Sequence, residues 1–271
     1  LVEAGFFDEP LTLEWSDLTC SISGASSEQK LLDSVFGYAS PGRMLAIMGP
    51  PGSGKTTLLN SLAGRLVKTE GMKLEGTLHL NSIPVKHGIL PIQKGYVHRE
   101  DLFHSRLTVR ETLRFAARLR MPREMKTTEK LNLVEDLLDK FRLRRAADTI
   151  VGDEKVLGIN KGEMKRLSIA CELIAEPPVI FVDEPTCGLD AFQADRVIDS
   201  LKMLSNEGKT VIVVISQPTG LMFSQFDDLL LLSEGRVMYS GPICDASKYM
   251  NRVGHQCPPH MSQPEFFLKL V

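Results

Sequence analysis

Residues 49–56 read Gly49-Pro50-Pro51-Gly52-Ser53-Gly54-Lys55-Thr56 and fill every fixed position of the pattern Gly-x-x-x-x-Gly-Lys-Ser/Thr. The flanks make the pattern restrictive. The apolar run Met44–Met48 precedes it and reads as a buried strand, and a helical pattern over Thr57–Leu66 follows. A strand, a glycine-rich loop and a helix in that order close backbone N–H groups around phosphate oxygens, where side chains would block the approach. The helix N-terminus adds partial positive charge. The chemistry assigns Lys55 to the β- and γ-phosphates of a nucleoside triphosphate and the Thr56 hydroxyl to Mg²⁺. Thr57 is counted with the cradle.

The rest of the chain alternates short apolar runs with helical periodicity. Gly95–Val97, Val179–Val182, Val211–Ile215 and Leu229–Leu232 read as strands, several of them apolar throughout, as strands buried on both faces are. Thr108-Val109-Arg110-Glu111 is a capping box, and Leu113, Ala116, Ala117 and Leu119 continue one helical face. Leu131, Val134, Leu138 and Phe141 mark a second helix, with Arg142, Arg144 and Arg145 read as its solvated end. Further helices are predicted over about 162–175 and 191–205. The first 80 or so residues differ: Leu11–Ser23, Lys30–Tyr38 and Gly76–Leu80 read as short strands, with Gly24–Gln29 a polar turn. The predicted class is α/β with a mostly parallel sheet, an N-terminal antiparallel β layer and a helical subdomain inserted over about 100–175.

The run Val179-Ile180-Phe181-Val182 ends in Asp183-Glu184. An Asp at the carboxyl end of a buried parallel strand sits where such sheets bind ligands. Asp183 is assigned to Mg²⁺, directly or through water, and Glu184 to orienting and deprotonating the attacking water. Together with residues 49–56, the pair points to a P-loop NTPase core.

Composition narrows the function classes. Thirty-two Lys plus Arg against 34 Asp plus Glu give a formal net charge of −2, without the basic excess of a nucleic-acid binder. Five dispersed cysteines fit a reducing compartment rather than a disulfide framework. The longest uncharged stretch, between Lys209 and Asp227, contains Gln217, Pro218 and Gly220 and does not read as a membrane-spanning helix. The chain starts at Leu1 without a signal-peptide pattern and reads as a segment of something longer.

Beyond these patterns, the sequence resembles the nucleotide-binding domain of an ATP-binding cassette (ABC) transporter. Pro185-Thr186-Cys187-Gly188-Leu189-Asp190-Ala191 looks like that family's D-loop, with Asp190 its aspartate, and Leu157–Ala170 lies where the family signature lies. The finer resemblance is to the G subfamily, of White and pleiotropic drug resistance type. It is carried by Gly95-Tyr96-Val97, Leu107–Leu113, Lys165–Ala170, Gln217-Pro218-Thr219, Leu230–Arg236, Cys257-Pro258 and Pro264–Leu268. The resemblance implies an ATPase using ATP and Mg²⁺, and a head-to-tail dimer with a second nucleotide-binding domain. It also implies a transmembrane domain after Val271, a place on the cytosolic face of a membrane, and movement of lipids, sterols or lipophilic compounds. The whole of 1–271 is then one nucleotide-binding domain.

Three positions depart from the family pattern. The signature usually reads Val-Ser-Gly-Gly-Glu, and here it is Ile159-Asn160-Lys161-Gly162-Glu163. Asn160 can still cap a helix. Lys161 either attracts the partner's γ-phosphate, props the dimer open, or turns to solvent, and the weakened-site readings are weighted above the gained contact. The Q-loop glutamine aligns with Arg99, whose guanidinium cannot ligate Mg²⁺. It either contacts phosphate or forms a loop salt bridge with Glu100 or Asp101, the latter being preferred. The switch histidine is replaced by Ser216, expected to act through a water or with lost catalytic power. These departures predict slow turnover at the chain's own site. They keep open a second reading, a degenerate ATP clamp in an asymmetric pair whose partner hydrolyses. Trp15, the only tryptophan, is read as core or edge packing at least as readily as adenine stacking.

Overall fold

The computed structural model describes residues 10–23, 28–66, 71–85, 90–153 and 155–271. Two sheets carry the fold. The larger has the order β10-β9-β3-β8-β7-β6, formed by β3 (Met44–Met48), β6 (Lys94–Val97), β7 (Val179–Asp183), β8 (Thr210–Val214), β9 (Asp228–Ser233) and β10 (Arg236–Pro242). All its pairings are parallel except β10 on β9. The smaller is antiparallel, order β2-β1-β4-β5, from β1 (Leu13–Ser23), β2 (Glu28–Ala39), β4 (Met72–Leu80) and β5 (Ile83–Val85).

Every residue of β3, β7 and β8 is buried. Period-2 alternation explains why. Met44, Ala46, Met48, Ile180, Val182, Val211 and Val213 face one core, and Leu45, Ile47, Phe181, Ile212 and Val214 face the other. The first core is covered by α2 (Val109–Arg120), α3 (Thr127–Lys140), α4 (Lys161–Leu173) and α5 (Ala191–Asn206), which supply Leu113, Val134, Leu167 and Val197. The second is covered by α1 (Lys55–Leu62) and the antiparallel sheet. Helices α2 to α4 all lie between β6 and β7, so the inserted helical segment is present, and its apolar side is continuous with the core of the main sheet.

The capping box of α2 forms as predicted, with Thr108 Oγ1 accepting from Glu111 N at 3.1 Å and Glu111 Oε2 accepting from Thr108 N at 2.9 Å. On that helix Leu119 departs from the predicted face: it is 69% exposed, while Leu113 and Ala117 are buried. Helix α1 stops at Leu62 rather than Leu66, where Gly64 adopts φ 61°. Arg144 does solvate a helix end, bonding Asp139 at 2.8 Å. The N-terminal strands match closely, although Gln29 already belongs to β2, and residues 24–27 of the predicted turn lie outside the described residues. The sequence reading passed over β5, β10 and the helices α6 (Gly220–Phe223), α7 (Ile243–Arg252) and α8 (Gln263–Leu270).

Trp15 is 2% exposed and packs in the second core, between the two sheets. Gly37 makes room for it: a Cβ there would stand 2.5 Å from Trp15 Cζ2 and 2.9 Å from Leu230 Cδ1. Gly37→Ala is therefore expected to overpack this junction and lower stability by about 1–3 kcal/mol, read as a lower midpoint in thermal unfolding.

Candidate nucleotide-binding site

The parallel strands end at one edge of the sheet, and the loops leaving β3, β6, β7 and β8 meet there. The loop after β3 is the glycine-rich segment. Gly49 takes φ 156°, and a Cβ on it would lie 2.2 Å from Leu232 O, so only glycine lets the turn pass this close to β9. Gly52 takes φ 82° with nothing within 4 Å of a built Cβ, an open position on the cavity the loop lines.

Lys55 begins α1 and folds back into its own loop. Its ammonium donates to Gly49 O and Pro50 O, each at 2.8 Å, with Ser53 Oγ at 3.5 Å. Lys55 is 7% exposed and Ser53 2%. Burial lowers the Lys55 ammonium from its ordinary range, opposed by Glu184 and Asp183. Next to it, Thr56 Oγ1 donates to Asp183 Oδ1 at 3.3 Å. Burial, reinforced by the adjacent Glu184 carboxylate, raises the Asp183 carboxyl above the usual range. A hydroxyl and a carboxylate oxygen facing each other are hard donors of the kind Mg²⁺ takes, with phosphate and water supplying the rest. A divalent cation would also relieve the electrostatic cost of Asp183. The residues therefore fit Mg²⁺. Among the described residues no cluster of three or more His, Cys, Asp or Glu could hold a metal by itself.

Glu184 has a left-handed backbone, φ 47°, held by its N–H donating to Val214 O at 3.0 Å. For a non-glycine residue this conformation costs about 1–3 kcal/mol. It turns the carboxylate toward Ser216, whose backbone N donates to Glu184 Oε2 at 3.2 Å and whose Oγ bonds Glu184 Oε1. Of the two readings of Ser216, a contact through a water gives way to a direct one, the hydroxyl reaching the Glu184 carboxylate itself; the preferred reading, lost catalytic power, is a matter for turnover.

Arg99 also corrects an expectation. Its guanidinium does not pair with Glu100 or Asp101. Nη2 instead donates to Cys187 Sγ at 3.4 Å, and Asp101 bonds Lys165. Lys55, Thr56, Arg99, Glu184 and Ser216 line one cavity of about 610 Å³, together with Pro51 and Gly52.

The signature segment forms a second cluster, which meets the cavity wall where Lys161 approaches Gly188. Asn160 caps α4: its Oδ1 accepts from Glu163 N at 2.8 Å, and Glu163 Oε2 accepts from Asn160 N at 3.0 Å. Gly162 N donates to Gln193 Oε1 at 3.1 Å, and Asp190 caps α5 by accepting from Gln193 N at 2.9 Å. Lys161 is exposed, with its amine near the Gly188 turn. Three contributors escaped the sequence reading: Lys165, Cys187 as a side-chain partner, and Gln193. The buried lysine carried a faint signal, its place on one face of α4 with Gly162 and Ile169, three residues before and four after.

A buried lysine in a glycine loop, a threonine against an aspartate, and a glutamate on the next residue define a P-loop nucleoside triphosphatase site. The family model described as "ABC transporter" matches residues 32–187, and one described as "ABC-2 type transporter" matches 216–271. ABC transporter G family member 7 of Arabidopsis thaliana is 49% identical over 97% of this chain and 36% of its own length. Protein white of Drosophila melanogaster is 40% identical over 89% and 35%. A dimeric bacterial ABC transporter cassette, solved also in a post-hydrolysis state with ADP and Pi, superposes with a TM-score of 0.69 at 23% identity, covering 85% of this chain and 98% of that one. The chain belongs to the ABC transporter family, as a nucleotide-binding domain of its G type. It spans about a third of the length of the curated relatives it matches.

The Ser216 contact yields a prediction. Ser216→Ala removes a hydroxyl bonded to a carboxylate, an interaction of about 1.5–3 kcal/mol, and is expected to lower ATP turnover about tenfold while leaving ATP affinity within about twofold. Steady-state turnover beside equilibrium nucleotide binding checks both parts.

Proposed function

We propose that this chain is the ATP-binding and ATP-hydrolysing motor domain of a G-type ABC transporter. The observation that carries the reading is the single cavity holding Lys55, Thr56 and Glu184, with Thr56 Oγ1 3.3 Å from Asp183 Oδ1. ATP would enter on residues 49–57, and Lys55 would exchange the Gly49 and Pro50 carbonyls for phosphate oxygens. Thr56 and Asp183 would hold Mg²⁺, which when bound neutralises charge on the β- and γ-phosphates. Glu184, oriented by Ser216, takes the proton of the attacking water. Arg99 lines the same cavity.

Asn160, Lys161, Gly162 and Glu163, with Asp190, are read as the surface offered to a second nucleotide-binding domain, the dimeric state of the related bacterial cassette supporting such a pair. The reading further takes 1–271 as one domain with a helical subdomain over about 100–175, followed by a transmembrane domain. The membrane-transporter match at 216–271 and the greater length of the relatives support this. Among the described residues no helix is long and apolar enough to cross a membrane. The domain would work at the cytosolic face, with lipids, sterols or lipophilic compounds as cargo, as the G-type resemblance implies. Arg99 and Ser216, the two departures within this chain's own site, favour one variant of this reading, an asymmetric pair in which hydrolysis falls mainly to the partner's site.

Glu184→Gln in the full-length transporter separates motor from clamp. A loss of turnover of about 10²–10³-fold with ATP still bound is expected. Unchanged turnover with ATP still bound would assign the chemistry to the partner. Lys55→Ala is expected to abolish ATP binding in the same preparation.

A further inference from the structure

Lys165 is a lysine the proposed mechanism does not use, yet it is 4% exposed. Its ammonium donates to His98 O at 2.9 Å, Arg99 O at 3.0 Å and Asp101 Oδ1 at 2.9 Å. All three N–H bonds are thus spent on one short loop, the condition under which a buried ammonium is tolerable. That loop leaves β6 and carries Arg99. The Arg99 side chain is held separately, by Cys187 Sγ at 3.4 Å. A thiol is a weak acceptor for a guanidinium with five donors. Among the described residues no carboxylate lies within ion-pair reach of Arg99. A cation fixed from both main chain and side chain, with no carboxylate bonded to it, lines the same cavity as Lys55 and Thr56. The Glu184 and Asp183 carboxylates act on Arg99 only at a distance, which leaves most of its five donors for an anionic ligand.

We propose that Arg99 contacts the terminal phosphate of bound ATP, and that Lys165 and Cys187 are the positioning residues that hold it there. The proposal rests on the nucleotide-site reading above and adds to it a source of selectivity for ATP over ADP. Arg99 supplies charge-assisted hydrogen bonds that only the third phosphate can accept. Lys165 fixes where the main chain of Arg99 runs, and Cys187 fixes which way its side chain leaves.

The test is the affinity of the full-length transporter for Mg-ATP and Mg-ADP, by titration calorimetry in a Glu184→Gln background that stops turnover. Arg99→Gln is expected to weaken ATP about tenfold and ADP less than about twofold. Lys165→Met and Cys187→Ala are each expected to weaken ATP about three- to tenfold, spare ADP, and add nothing in the Arg99→Gln background. ADP affinity reports whether the site is folded, and Cys187→Ala decides if Lys165→Met loses ADP as well. An unchanged ATP-to-ADP ratio in Arg99→Gln would overturn the phosphate contact. An undiminished effect of Cys187→Ala in the Arg99→Gln background, or no effect in its absence, would overturn the positioning. If Lys55→Ala leaves both affinities intact, the nucleotide-site reading itself falls, an outcome distinct from either.

Discussion

The parallel pairing of β6, β7, β8 and β3 is the constraint on which the site depends. Val97 pairs with Val182, Asp183 with Val214, and Val214 with Ile47. The four strands therefore end at nearly one height, and the residues that follow them are delivered side by side: Arg99 after β6, Glu184 after β7, Ser216 after β8 and the glycine loop after β3. No other local structure is needed to bring together residues up to 167 positions apart in sequence, the separation of Gly49 and Ser216. The register is enforced from both faces of the sheet, because a one-residue slip would exchange the residues facing the two cores.

The delivered groups are two cations and two carboxylates, and they do not pair off. Lys55 rests on main-chain carbonyls, Arg99 on a thiol, Asp183 on Thr56 and Glu184 on Ser216. Direct Lys–Asp or Arg–Glu pairing would neutralise the cavity and leave little attraction for a charged ligand. Neutral partners keep both cations available to phosphate oxygens and both carboxylates available to a metal or a water.

How much of this was legible in the sequence follows from how local each requirement is. The phosphate loop was legible because its glycines and its lysine answer to geometry within eight residues. Asp183-Glu184 was legible because a buried strand stops at it. The strands of the main sheet were legible because burial on both faces leaves unbroken apolar runs. Strand β10 was not: it is an edge strand with one exposed face, so its residues alternate weakly. The role of Lys165 was not legible either, since its partners lie 64 to 67 residues away and a lysine on a helix is ordinarily a solvated one. The preference for an Arg99 salt bridge with Glu100 or Asp101 failed for the same reason. Sequence neighbours were weighed, while Asp101 had been taken by a distant buried amine.

The three departures from the family pattern differ in physical weight once their surroundings are known. Ser216 holds the Glu184 carboxylate through both its hydroxyl and its N–H, so the carboxylate is oriented without an imidazole, and what is lost is reach and charge. Arg99 exchanges an amide that could approach a metal for a cation that repels one, so no metal contact is open to it. At the signature, the N–H groups of Gly162 and Glu163 are already committed to Gln193 and Asn160. An approaching phosphate would therefore meet the Lys161 ammonium and the dipole of α4 rather than those two amides. An ammonium on a flexible stem attracts without fixing direction. Set at the end of α4 with those two amides occupied, Lys161 adds charge at this surface without adding a second directed donor.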